Sequence, residues 1–212
     1  MEKRKKGFIY ASIGAFAMFS LWTALVRLVD VNSIGPLDSV VGLSGFNGYF
    51  HELTGVNMSL YTVTDWLGLV PIAVALGFAV MGLFQWIKRK SILKVDRSIL
   101  ALGGFYLAAI AFYVAFELVP VNYRPVLING YLEVSYPSST TLLTLCVMLT
   151  AMMQLGRRIK NTSLKYTVNL LISVFTAFTV IGRILSGVHW ISDIIGGVIL
   201  SAGLIFLYSA FE

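Results

Sequence analysis

Charge is scarce in this sequence. Of 212 residues only 12% are Asp, Glu, Lys or Arg, about half of what a soluble globular domain carries. With 58% hydrophobic residues and a mean hydropathy of +0.83, that shortage excludes an ordinary soluble domain. Cysteine is nearly absent. Cys146 stands alone in an apolar run, so no internal disulfide can form, and it reads as a small packing residue. Histidine occurs twice, as His51 and His189, and no Cys/His cluster has metal-ligand spacing, so neither a metal nor another cofactor is expected. Glycines at 42, 45 and 48 lack the flanking strand that a nucleotide-binding loop needs. Internal repeats, linkers and low-complexity tracts are missing too.

What the chain has in quantity is long apolar runs. Taking about 20 apolar residues as a span, six fit, at about 7–29, 66–87, 98–118, 139–156, 166–185 and 190–211. The expectation is an all-α polytopic membrane protein, a single six-span domain over the whole chain. The first run follows Lys3, Arg4, Lys5 and Lys6 and lacks a small-residue cleavage site, so it reads as an uncleaved signal anchor.

The net charge of +6 is explained by its distribution rather than by nucleic acid, for which no role is expected. Lys88, Arg89, Lys90, Lys94 and Arg97 join the second run to the third; Arg157, Arg158, Lys160 and Lys165 join the fourth to the fifth. By the positive-inside rule these segments and both termini are cytoplasmic, in a cell membrane. The opposite face carries Arg27, Arg124 and Arg183 among Asp30, Asp38, Glu52, Asp65, Glu117, Glu133 and Asp193. Arginines on an acidic outer face do nothing for topology, so Arg124 and Arg183 read as ligand contacts.

Between the first two runs lies the longest loop, residues 30–65. Leu43, Phe46, Phe50 and Leu53 recur at helical spacing there, which predicts an interfacial helix over about 37–54. His51 falls in it, either as a hydrogen-bonded anchor or as an accessory catalytic group. Trp66 and Trp86 suit aromatic anchoring at opposite boundaries. Met148, Met152 and Met153 read as core filler. Pro120 and Pro125 force an extended or turning backbone around Arg124. Pro137, Ser138, Ser139 and Thr140 precede an apolar helix; such residues cap a helix, and equally gather hydroxyl and N–H groups around an anion.

The stretch Gly182–Asp193, G-R-I-L-S-G-V-H-W-I-S-D, is the least generic. Ionisable groups beside hydrocarbon cost a few kcal/mol each unless they line a polar cavity. A helix starting near Gly187 would put His189 and Asp193 one turn apart on a shared face. Asp193 could then hold one imidazole nitrogen and leave the other as a nucleophile or base. The first-turn N–H groups would favour an anion, and the planar fork of Arg183 suits phosphate. A buried structural pair with Arg183 reaching to the interface satisfies the same spacing.

Three stretches in order, R-P at 124–125, P-S-S-T at 137–140 and R-x5-H-x3-D at 183–193, resemble the phosphatidic acid phosphatase type 2 and vanadium haloperoxidase superfamily. Its membrane members have six helices and the motifs K-x6-R-P, P-S-G-H and S-R-x5-H-x3-D. The resemblance implies that His189 attacks phosphorus to form a phosphohistidine, that Asp193 orients it, and that Arg124 and Arg183 bind phosphate with Ser138, Ser139 and Thr140. The departures are Glu117 at the lysine position, Gly182 for serine, Ser139 for glycine, and Thr140 for the histidine that protonates the leaving group. Glu117 and His51 are the accessory groups that could supply that proton.

The implied activity is a metal-independent lipid-phosphate or lipid-pyrophosphate phosphatase on the extracytoplasmic face. Its partners would be that substrate and the surrounding membrane lipids. The alternative is a catalytically impaired relative that binds or moves a lipid phosphate. Without the histidine acid, a polyprenyl pyrophosphate, whose leaving phosphate is already a stable anion, is expected to be preferred over a monoester.

Overall fold

The computed structural model describes residues 2–211, and almost all of its regular structure is helical. The helices are α1 Glu2–Leu28, α2 Ser44–Thr54, α3 Met58–Leu67, α4 Leu69–Arg89, α5 Arg97–Leu118, α6 Ser139–Arg158, α7 Thr162–Leu185 and α8 Ile191–Phe211. Six stretches are long and apolar enough to cross a membrane: α1, α3 and α4 taken together, α5, α6, α7 and α8. The protein is a multi-pass membrane protein of the all-α, six-span class anticipated from its apolar runs.

Helices α6 and α8 form the middle of the bundle. Half of each one's most apolar window is buried, against 11–28% for the other spans. Helix α1 lies along α8, where Ser12 Oγ donates to the Gly203 carbonyl at 2.9 Å and Trp22 Nε1 to the Ser192 carbonyl at 3.0 Å. Phe19, Phe105, Leu142, Cys146, Leu200 and Tyr208 belong to one continuous core joining α1, α5, α6 and α8. Leu107 on α5 and Leu170 on α7 are exposed, as lipid-facing side chains must be when the solvent is hydrocarbon.

Helix termini follow side-chain chemistry. Asn57 accepts from the Leu60 N–H to start α3, Asn161 from Leu164 to start α7, and Ser138 from Thr141 to start α6. The basic residues near Lys88–Arg97 and Arg157–Lys165 fall at one end of the spans. The segments before α6 and between α7 and α8 are at the other.

Two boundaries differ from those drawn on the apolar runs. The second span begins at Met58, not near Trp66, because Asn57 caps a helix that runs into α4 through Gly68, whose backbone stays right-handed helical. The interfacial stretch is also shorter than 37–54. Its first part is a small hairpin, Asn32–Ser33 against Val40–Val41, closed by Pro36–Asp38 with Leu37 and Asp38 at φ 55° and 57°. Helix α2 then starts at Ser44, with the Asp30 carboxylate accepting from the Gly45 N–H at 2.7 Å. It is docked on protein: Asn47, fully buried, exchanges hydrogen bonds with the start of α8, giving to Ser192 Oγ at 2.9 Å and taking from the Ser192 N–H at 3.1 Å.

Two glycines allow α7 to meet the outer segments. At Gly187, φ is +63°, and a Cβ would stand 1.8 Å from the Gly55 carbonyl oxygen. At Gly182, a Cβ would stand 2.6 Å from Thr64 Cγ2, so a serine here would push α3 away from α7. Gly182→Ser is therefore expected to destabilise the protein by about 1–3 kcal/mol through overpacking. Thr64→Ala should recover part of the loss in a double-mutant cycle read by thermal unfolding in detergent. Strictly additive effects would contradict the contact.

Candidate active site

Five segments at one end of the bundle supply the site: α3, the loop after α5, the start of α6, the end of α7 and the turn into α8. His189 lies in that turn and is 5% exposed. Its Nε2 is 3.2 Å from Arg124 Nη1, and its Nδ1 is 2.9 Å from Ser135 Oγ. Arginine can only donate, so Nε2 is the accepting nitrogen and Nδ1 carries the proton. Ser135 then accepts from Nδ1 and donates to Asp193 Oδ2 at 2.6 Å. The sequence suggested a direct His189–Asp193 contact; the structure puts the Ser135 hydroxyl between them.

Asp193 is fully buried and saturated. The Trp190 N–H reaches Oδ2 at 3.1 Å, while Asn122 Nδ2 at 3.1 Å and Ser192 Oγ at 3.4 Å reach Oδ1. Asn47 and Asn122 both belong to this cage, Asn122 further accepting from the Gly42 N–H at 3.3 Å. A buried carboxylate needs such partners, since leaving one unpaired costs several kcal/mol.

Arg183 is 1% exposed, and its Nη2 donates to Asp65 Oδ1 at 2.9 Å and to Thr140 Oγ1 at 2.5 Å. Its Nε and Nη1 meet no acceptor among the described residues. Arg124 Nε lies 3.0 Å from Glu133 Oε2, within ion-pair range but without hydrogen-bond alignment. Both guanidinium groups stack near one ring: their Cζ atoms are 5.0 Å (Arg183) and 5.8 Å (Arg124) from the Tyr61 centroid.

The other expected residues fall as follows. Thr140 is in contact with Arg183, as above. Ser138 is fully buried; its hydroxyl caps α6, accepting from Thr141 Oγ1 at 3.0 Å, and its N–H donates to the Asp193 carbonyl at 3.0 Å. Those bonds are structural and tie α6 to α8. Ser139 and Glu117 share the wall of a small pocket with Ser135. His51 packs its ring on Trp190 at 5.4 Å, one residue from His189, and its buried Nδ1 has no partner among the described residues. Burial holds the His51 imidazole below its ordinary pKa.

Sequence reasoning passed over Tyr61, Asp65, Asn122 and Ser135. Ser135 lies three residues from Ser138 and Asn122 two from Arg124, but only the antiparallel bridge Tyr123–Val134 brings the two segments together. Tyr61 and Asp65 sat in what read as a loop; the capping asparagine at 57, three residues before an apolar run, was the available signal.

Among the described residues no group of three or more His, Cys, Asp or Glu side chains could hold a metal ion. Burial, then the charges of Arg124 and Arg183, holds the His189 pKa well below the ordinary imidazole range. In the protein without bound anion, His189 is therefore expected to stay neutral, with the proton on Nδ1, at pH 6. Histidine 15N chemical shifts of detergent-solubilised protein check this, with His189→Gln for assignment, and an imidazolium at that pH would contradict the electrostatic picture.

Comparison with known proteins bears on the sequence and the fold. The family model for the PAP2 superfamily matches residues 120–212. Comparison with curated protein sequences finds no match. A crystal structure of the first transmembrane PAP2-type phosphatidylglycerolphosphate phosphatase, from Bacillus subtilis, superimposes with a TM-score of 0.59 at 18% identity, covering 95% of this chain and 94% of that one. The resemblance carried by the three motifs is thus matched beyond the motifs themselves: residues 120–212 fit the PAP2 superfamily, and the fold around them is one that a PAP2-type phosphatase also has.

Proposed function

We propose that this protein is a membrane lipid-phosphate or lipid-pyrophosphate phosphatase that works through a phosphohistidine at His189. The observation that carries the reading is the pairing of an accepting His189 Nε2 with buried Nε and Nη1 donors of Arg183 that have no acceptor among the described residues. Buried donors left unpaired cost about 1–3 kcal/mol each, more when charged. A terminal phosphate between the two arginines would satisfy one of them and put phosphorus in front of the nucleophile. The PAP2 match and the phosphatase fold support the same class of chemistry.

In the proposed reaction Arg124 Nη1 transfers its hydrogen bond from His189 to a phosphate oxygen. The Nε2 lone pair then forms the N–P bond as the P–O bond to the leaving group breaks. Positive charge arising on the ring is drawn through Nδ1–H and Ser135 toward the Asp193 carboxylate, which stays in place as a fixed counter-charge. Water next attacks phosphorus, releases His189 and leaves orthophosphate. Ser139 and Thr140, at the N-terminus of α6, lie where N–H groups favour an anion, and Ser138 sets that helix end. Glu117 and His51 remain accessory candidates, the first through the pocket shared with Ser135 and the second through Trp190. The site is assigned to the extracytoplasmic face, because the basic segments lie at the opposite ends of the helices.

The alternative is a relative that binds or moves a lipid phosphate, and the hydroxyl of Thr140 favours it. Bound to Arg183 where the family has its histidine acid, that hydroxyl is a poor proton donor. On the catalytic reading the same substitution selects pyrophosphates. With a matched tail, kcat/KM should be higher for a polyprenyl pyrophosphate than for the monophosphate, and Thr140→His should raise monoester cleavage alone. General acids contribute about 100- to 10,000-fold to such steps. His189→Ala should abolish both activities in a protein that still folds, and turnover surviving it would eliminate the phosphohistidine.

Orientation has its own test. Tyr131 is 73% exposed in the loop before α6, and the native Cys146 is fully buried. A Tyr131→Cys variant should label with an impermeant thiol reagent from outside intact cells. Labelling confined to permeabilised cells would place the site on the cytoplasmic face.

A further inference from the structure

Arg183 does not present a free fork. A guanidinium offers two two-pronged edges, Nε with Nη2 and Nη1 with Nη2, and Nη2 belongs to both. In this structure Nη2 is held by Asp65 Oδ1 at 2.9 Å and Thr140 Oγ1 at 2.5 Å. An anion that takes either edge must therefore take a hydrogen from one of these partners. Thr140 is fixed in the first turn of α6. Asp65, whose side chain is 54% exposed, stands at the rim, where rotation into water is open to it. An anion sharing Nη2 with Asp65 would also meet a like charge at close range.

We propose that Asp65 is an internal anion that occupies the shared nitrogen of Arg183 and sets an affinity threshold that a terminal phosphate passes and a bilayer phosphodiester does not. The proposal rests on the phosphate-binding reading of the site. Its reason lies in where the protein sits. A site at the membrane surface is surrounded by diester head groups, each with one negative charge, in large excess over any substrate. Exchanging the Asp65 carboxylate for such a monoanion gains little. A terminal phosphate carries more charge and three oxygens, enough to take one two-pronged edge of Arg183, Nη2 included, and Arg124 together. Displacing Asp65 carries a similar cost for every anion, so it leaves the ratio between ligands unchanged and sets the affinity that an anion must exceed to be retained.

Helix α3 is what makes this arrangement. The close approach of Thr64 to Gly182 brings α3 onto α7, and Asp65 follows Thr64 in sequence. Tyr61, one turn earlier, lies against both guanidinium groups. Residues 58–67 lie outside the matched stretch 120–212, so this threshold is carried by a part of the chain that the family match does not cover.

The test uses the full chain in detergent, with orthophosphate and a short-chain phosphatidylglycerol as probes and calorimetry as the readout. Wild type, Asp65→Asn, Asp65→Ala and Arg183→Ala are compared, each checked for folding by thermal unfolding. Both Asp65 variants should bind orthophosphate more tightly by about two- to fivefold, the range of a partly exposed ion pair removed from competition. Phosphatidylglycerol, too weak to register with wild type, should become a measurable ligand of both. Unchanged or weaker orthophosphate binding in the Asp65 variants, with binding lost in Arg183→Ala, overturns the threshold and leaves the phosphate site standing. Wild type binding the diester as tightly as orthophosphate also overturns it, and wild type that binds no orthophosphate overturns both.

Discussion

Two arginines held side by side at the dry end of a helix bundle repel each other, and the rest of the site is built to keep them there. Arg124 and Arg183 both lie against the Tyr61 ring, and each has a carboxylate at the rim, Glu133 and Asp65. These partners lower the cost of the pair without removing its charge. Ion pairs open to water contribute about 1 kcal/mol or less, so the two guanidinium groups remain a strong attractor for a multiply charged anion. Burial, and after it the same field, holds the His189 pKa down, and a nucleophile must be unprotonated.

The polar cage around Asp193 is the second dependence. A carboxylate with no exposure survives because Ser135, Asn122, Ser192 and the Trp190 N–H satisfy it. Asn47 then fastens α2 to the same corner. These shared bonds join the outer hairpin, α2 and the loop before α6 to the start of α8 as one network. The Ser135 hydroxyl between His189 and Asp193 fits this economy: it fixes the tautomer while allowing the carboxylate to sit deeper than a direct contact would permit.

Much of the architecture was legible in the residues. Hydrocarbon demands long apolar helices, so the six spans and the class of fold could be read from apolar runs, and charge asymmetry separated the two ends. Motif spacing flagged Arg124, Thr140, Arg183, His189 and Asp193, which the fold brings to one end. Less legible were contacts fixed only by tertiary packing. Asp65 and Tyr61 join the site through helix crossing at Gly182, and Ser135 joins through a bridge between loop strands; neither follows from local periodicity. Asn57 as a cap would have revealed α3. Ser138 shows the reverse difficulty, since one short P-S-S-T stretch serves equally as a helix cap and as an anion site, and here its oxygen accepts in the cap while its own O–H is not used there.

The account turns on a covalent bond between phosphorus and one named nitrogen. Incubating purified protein with a lipid phosphate or pyrophosphate labelled in its terminal phosphate, quenching in alkali and mapping the labelled peptide would measure it directly. The account predicts acid-labile, alkali-stable phosphate on His189, absent from His189→Gln. Steady turnover of that substrate with no labelled histidine, or with the label on another residue, would contradict it.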